Sequence, residues 1–79
     1  MANHMKEVAG ILGVKLDEEF EIVNKDESIV YAYGNNNIFK LSKKGLQSKN
    51  KTTGKWEGYT QNFFKLVYLL TGEFKVKKM

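Results

Sequence analysis

Six lysines and no acid lie in "KLSKKGLQSKNKTTGK", residues 40–55: Lys40, Lys43, Lys44, Lys49, Lys51 and Lys55. Ammonium groups this dense attract phosphates or carboxylates, so the stretch could bind a nucleic acid or an acidic partner. It could equally be the solvated tip of a hairpin, because lysines at turns and strand edges guard against edge-to-edge aggregation. Reading a nucleic-acid sequence draws on arginine forks or on exposed aromatics that stack with bases. All thirteen basic residues here are lysine. Roughly four to six lysine contacts would bind nucleic acid weakly, non-specifically and with strong salt sensitivity. A solvated face or a patch turned to an acidic protein is therefore favoured, with nucleic acid as the alternative.

The acidic run "DEEFE", Asp17, Glu18, Glu19 and Glu21, has the carboxylates that hard cations want, but neither the glycine nor the spacing of a calcium loop. It reads as a solvated connection into a strand. The acidic and basic segments could also meet, within one chain or across a homo-oligomer. Catalytic chemistry has few candidates. His4 is the only histidine, no nucleophile elbow is present, and "TGKW" lacks the upstream glycine and following hydroxyl of a phosphate loop. Cysteine is absent, which excludes disulfides and thiolate metal sites. The expectation is a non-enzymatic protein without metal or cofactor. Trp56 and Tyr59, beside Gly54 and Gly58, could line a small-molecule pocket; capping the core under a loop is the favoured reading.

These residues belong to a chain of 79, one domain near the size at which folding buries only about 60% of the unfolded surface. Hydrophobic content of 42% with ten aromatics marks a globular protein. No apolar run approaches the roughly 20 residues of a membrane span. Lys6 and Glu7 interrupt any signal-peptide core, so a cytoplasmic location is the default. Residues 1–4 resemble an expression scar, which would make Met5 the natural start. Charge is polarised, with net −4 over residues 1–27, +6 over 40–55 and +3 over 60–79. Such polarity suits an orienting field or self-association better than a uniform polyanion binder. Lysine without arginine, together with seven asparagines, suggests an AT-rich coding sequence.

The elements follow from periodicity. Met5, Val8, Ala9 and Leu12 have helical spacing before Gly13, predicting a helix over 4–12. Phe20 and Ile22 alternate with acids as in a half-buried strand, and "NKDES" breaks it. "IVYAY" and "IFKLS" flank Gly34-Asn35-Asn36-Asn37, predicting a hairpin of 29–33 with 38–42. A second turn at Ser42-Lys43-Lys44-Gly45 extends it into a meander, with Phe39 and Leu41 facing the core and Lys40 outside. Residues 49–54 read as a mobile loop. From Thr60 as N-cap, a helix runs to Gly72 with Phe63, Leu66, Val67 and Leu70 in its stripe and Phe64, Tyr68 and Leu69 widening it. This breadth predicts a largely buried helix. "EFKV" is a last strand. The sum is an α+β fold: a small, mainly antiparallel sheet with a short N-terminal helix and a longer helix, about 60–71, packed on a face. Strand order does not follow from these patterns.

Two stretches together resemble a known group. "VAGILGVKLDEEFEI", residues 8–22, and "FKLSKKGLQSKN" through Trp56 to "LVYLLTGEFKV" are similar to a loose set of small uncharacterised proteins encoded by phages and prophages of low-GC Gram-positive bacteria. The shared features are a helix ending in Leu-Gly-Val, an acidic turn into a strand, a hairpin with Gly-Leu, and Leu-Leu-Thr-Gly before a last strand. Many members end in a basic, proline-containing tail, whereas this sequence runs to Met79 without one. The resemblance implies a phage accessory protein made in the host cytoplasm and carries over no catalytic residue. It points to a binding module acting on a host or phage macromolecule, host defence among the targets, with a protein partner favoured over nucleic acid.

Overall fold

The computed structural model describes residues 4–79; of the proposed scar, only His4 lies among the described residues. Helix α1 (Met5–Leu12) ends at Gly13, whose left-handed φ of 75° lets the Val14 N–H reach the Ala9 carbonyl at 3.0 Å. A side chain would be strained there, which is why the apolar period stops at this glycine. Ala9 is buried, while Met5, Val8 and Leu12 pack half-buried against the core.

Strands β1 (Phe20–Asn24), β2 (Phe39–Ser42), β3 (Gly45–Lys49), β4 (Trp56–Glu57) and β5 (Phe74–Lys78) form one antiparallel sheet in the order β4-β3-β2-β1-β5. Helix α2 (Thr60–Thr71) carries the chain across the sheet from the β4 edge and delivers β5 beside β1. The fold is the expected α+β class. Alternation turns Phe20, Ile22, Phe39, Leu41 and Leu46 inward, where Leu66 and Leu69 of α2 and Ala9 and Val14 meet them. Each large side chain so buried contributes about 1.5–3 kcal/mol before ordering entropy is subtracted. No described helix is long and apolar enough to cross a membrane.

The hairpin expected between 29–33 and 38–42 does not form. Asp26 accepts hydrogen bonds from the Ser28 N–H (3.0 Å) and hydroxyl (2.6 Å), and the Asn24 N–H donates to the Ser28 carbonyl. This tight turn folds the chain straight back onto β1, where Ile29 bridges Val23 and the Val30 N–H donates to the Ile22 carbonyl. Residues 29–30 thus spend their backbone groups on β1. Ala32 and Asn36 then close a single bridge around the turn Tyr33–Asn35, with Gly34 and Asn35 both at positive φ. β2 pairs with β3 and, at Phe20 and Phe39, with β1.

The loop after β3, expected to be mobile, is organised by Asn50. Its Oδ1 accepts the N–H groups of Thr52 and Thr53, and its carbonyl accepts that of Gly54. Lys51 N–H donates to Asn36 Oδ1, tying this loop to the preceding one.

Two readings of α2 are corrected. Thr60 is its first residue and Tyr59 the N-cap, without a side-chain capping bond. The buried face is Asn62, Leu66 and Leu69, not the stripe of Phe63, Leu66, Val67 and Leu70. Asn62 Nδ2 donates to Ser48 Oγ and to the Glu57 carbonyl, both at 3.3 Å, which turns this side of the helix onto β3 and β4. Phe20 and Phe39 already fill the middle of the sheet, so the bulky residues of α2 are left facing outward.

Candidate binding surface

The register of the sheet decides where the lysines go. Leu41 pairs with Leu46 and Phe39 with Ser48 on the core face, so Lys40, Gln47, Lys49 and Trp56 share the opposite, outer face. The Lys40 ammonium stands 4.6 Å from the centre of the Trp56 ring and that of Lys49 stands 5.9 Å from it. At exposed sites such cation–π contacts contribute about 0.5–1 kcal/mol each. Trp56 is half-buried beneath the two side chains and lies outside the core cluster, so it does not cap the core.

Lys40 is largely enclosed, its side chain only 18% exposed, and its ammonium also lies 3.3 Å from Asp17 Oδ1. Asp17 is held there because its N–H donates to the Leu41 carbonyl at 2.7 Å, with the residue at a φ of 64°. The acidic run therefore reaches the basic hairpin within one chain. Glu18 caps the Lys15 N–H and lies 3.8 Å from Lys78, and Glu21 accepts the Asn37 amide at 2.8 Å. Three carboxylates of the run thus turn to separate neighbours: Asp17 to Lys40, Glu18 to Lys15 and Lys78, and Glu21 to Asn37.

Lys43 and Lys44 form the exposed hairpin tip, three and four residues beyond Lys40, where Ser42 Oγ accepts the Lys44 N–H. Lys51 and Lys55 are exposed on the loop from β3 to β4. Of the six lysines, the structure brings Lys40 and Lys49 together at the tryptophan and spreads the other four around the hairpin and loop. Two outer-face lysines were missed from the sequence. Lys77 pairs with Glu21 and Lys75 with Val23, which extends the charged face to the β5 edge. The alternation of "FKVKK" already turned them outward; their neighbour β1 was the unknown.

Tyr59 takes no part in this face. Its ring meets Tyr33 at 5.6 Å, and its hydroxyl donates to Glu57 Oε1 at 2.9 Å. That hydrogen bond to a carboxylate holds the phenol above the usual tyrosine pKa. An open hollow of about 320 Å³ here is lined by Tyr33, Tyr59, Thr60 and Gln61, without Trp56. The small-molecule pocket that Trp56 and Tyr59 offered as the lesser alternative is not built among the described residues, because the two rings serve different parts of the fold.

What the outer face can do is present several ammonium groups around one indole to a complementary anionic surface. Comparison with protein-family models, with curated proteins and with solved structures returned no match, so this face is defined by its own geometry.

Proposed function

We propose that this protein is a non-enzymatic binding module of the phage or prophage accessory type, which docks an acidic surface of a host or phage protein on the outer face of its sheet. In the host cytoplasm, a component of host defence is one such partner. Lys40, Lys49 and Trp56 form the centre of contact, with Lys43, Lys44, Lys51 and Lys55 around it. The observation that carries this reading is the seating of two lysine ammoniums against one indole. Tryptophan is enriched among the energetic centres of protein interfaces.

The same observation weighs against nucleic acid. A base needs an uncovered ring to stack on, and here two ammoniums occupy the tryptophan while arginine is absent. Charge-held homo-oligomers draw less support still, since Asp17 and Glu18 find their lysines within the chain.

The test is capture from cells carrying the phage or prophage, with and without nuclease, using the full chain and the double variant Lys40→Glu, Lys49→Glu. Nuclease-resistant capture of a protein that the variant fails to retain is expected. Capture abolished by nuclease would transfer the face to nucleic acid. A turnover activity removed by one point substitution would overturn the non-enzymatic reading.

A further inference from the structure

The outer face of α2 poses a different problem from the lysine face and lies on the other side of the sheet. A helix that is apolar nearly all round belongs in an interior. Here the sheet covers only Asn62, Leu66 and Leu69, leaving Phe63 62%, Phe64 56%, Tyr68 47%, Leu70 46% and Val67 39% exposed. Tyr68 also meets Phe74 of β5 edge-on at 5.2 Å, which carries the apolar surface to the end of the sheet.

We propose that a second copy of this chain covers this face, forming a two-fold dimer of antiparallel α2 helices. Charge is the first argument. Between Thr60 and Thr71 the only charged residue is Lys65, half-buried at the side of the helix, where desolvation lowers its pKa. An acidic or basic partner finds no complement there, while two copies of a +4 molecule can approach through this face without setting like charges together. The rest of the surface supplies the second argument. The sheet edges are guarded against self-pairing, β4 by having two residues and β5 by Lys75, Lys77 and Lys78. The α2 face has no such guard.

Area and shape agree with this occupant. Taking roughly 200 Å² for an aromatic side chain and somewhat less for Val67 and Leu70, the five expose on the order of 450 Å² per copy. Two copies then bring together about 900 Å², and Thr60, Gln61 and Thr71 carry the contact to the roughly 1,000 Å² of a weak specific interface. With the two-fold axis at Val67, Phe63 and Phe64 of one copy lie against Leu70 and Thr71 of the other. Large rings then meet smaller side chains, and Val67 meets its own symmetry mate.

Sedimentation velocity of the full chain tests this without reference to the lysine face. A concentration-dependent monomer-to-dimer shift is expected between about 5 and 500 μM, undiminished in about 1 M salt because the contact is apolar. Val67→Lys should weaken it at least ~10-fold with an unchanged circular-dichroism melt at low concentration. In this cysteine-free chain, oxidised Val67→Cys should form a disulfide-linked dimer across the axis. A monomer throughout the range, a dimer lost in high salt, or a Val67→Cys variant that stays uncrosslinked would each overturn the proposal. Should Val67→Lys fail to fold, the wild-type salt series and the cysteine variant still decide.

Discussion

The two broad surfaces of this small domain are built from opposite materials. On the outer sheet face, charged side chains are held by named partners: Lys40 by Asp17 and Trp56, Lys49 by Trp56, and Glu21 by Asn37. On the outer face of α2, three aromatic rings and two aliphatic side chains stand exposed. The first is comfortable in water and offers specificity through charge; the second gains by losing water. A domain that buries a modest core has strong reason to cover such a helix face and little need to cover the other.

The contrast within α2 is the sharpest to break. Leu69→Ala, on its buried side, should cost about 2–5 kcal/mol in a denaturant melt, enough to unfold much of a domain this size. Phe63→Ala, on the outer side, should change the stability of dilute monomer by no more than about 0.5 kcal/mol while weakening self-association. Equal losses at both positions would mean that the helix faces the sheet in the way its apolar stripe first suggested.

Asn62→Ala comes next, at about 1–3 kcal/mol by chemical denaturation, because it strips the buried Ser48 hydroxyl and the Glu57 carbonyl of their partner. If it proved neutral, the facing of α2 would have to rest on Leu66 and Leu69 alone. On the sheet face, Lys40→Ala should cost less, about 0.5–1 kcal/mol, and the difference from wild type should shrink as salt rises.

The smallest effect concerns Tyr59. Its pKa is raised in the folded state by the Glu57 carboxylate, so the stability this hydrogen bond contributes is fully present below the unfolded tyrosine value near 10.0 and is lost as pH rises through the folded one. A tyrosinate absorbance titration, read as the difference from Tyr59→Phe, should show Tyr59 ionising above that value and returning toward it in Glu57→Gln.

Much of the fold was legible because it follows from short-range pattern. Alternation in "FKLS" put Phe39 and Leu41 inside and Lys40 outside, and Gly13 and Gly72 end both helices in the left-handed conformation. The failures share a cause. "IVYAY" has the composition of a strand, but the Asp26–Ser28 turn spends its first residues on β1 before they can pair elsewhere. In α2, Asn62, Leu66 and Leu69 have the same helical spacing as Phe63, Val67 and Leu70, so periodicity could not choose between them. The choice was made by Ser48 and Glu57, which come together opposite Asn62 only once β3 and β4 are paired. The lysine cluster was legible as a list of residues, while its focus on Trp56 depends on the β3–β4 register.

The proposed contact centre contains the chain's only tryptophan, which makes its fluorescence the direct probe. The full protein at about 50 mM salt, where charge contacts are strongest, would be titrated with poly-L-glutamate and, separately, with single-stranded DNA. A saturable change in Trp56 emission with poly-L-glutamate, reversed by added salt and absent in Lys40→Glu, Lys49→Glu, is the expected result. Quenching by DNA with no response to poly-L-glutamate would contradict the assignment of this face to an acidic protein.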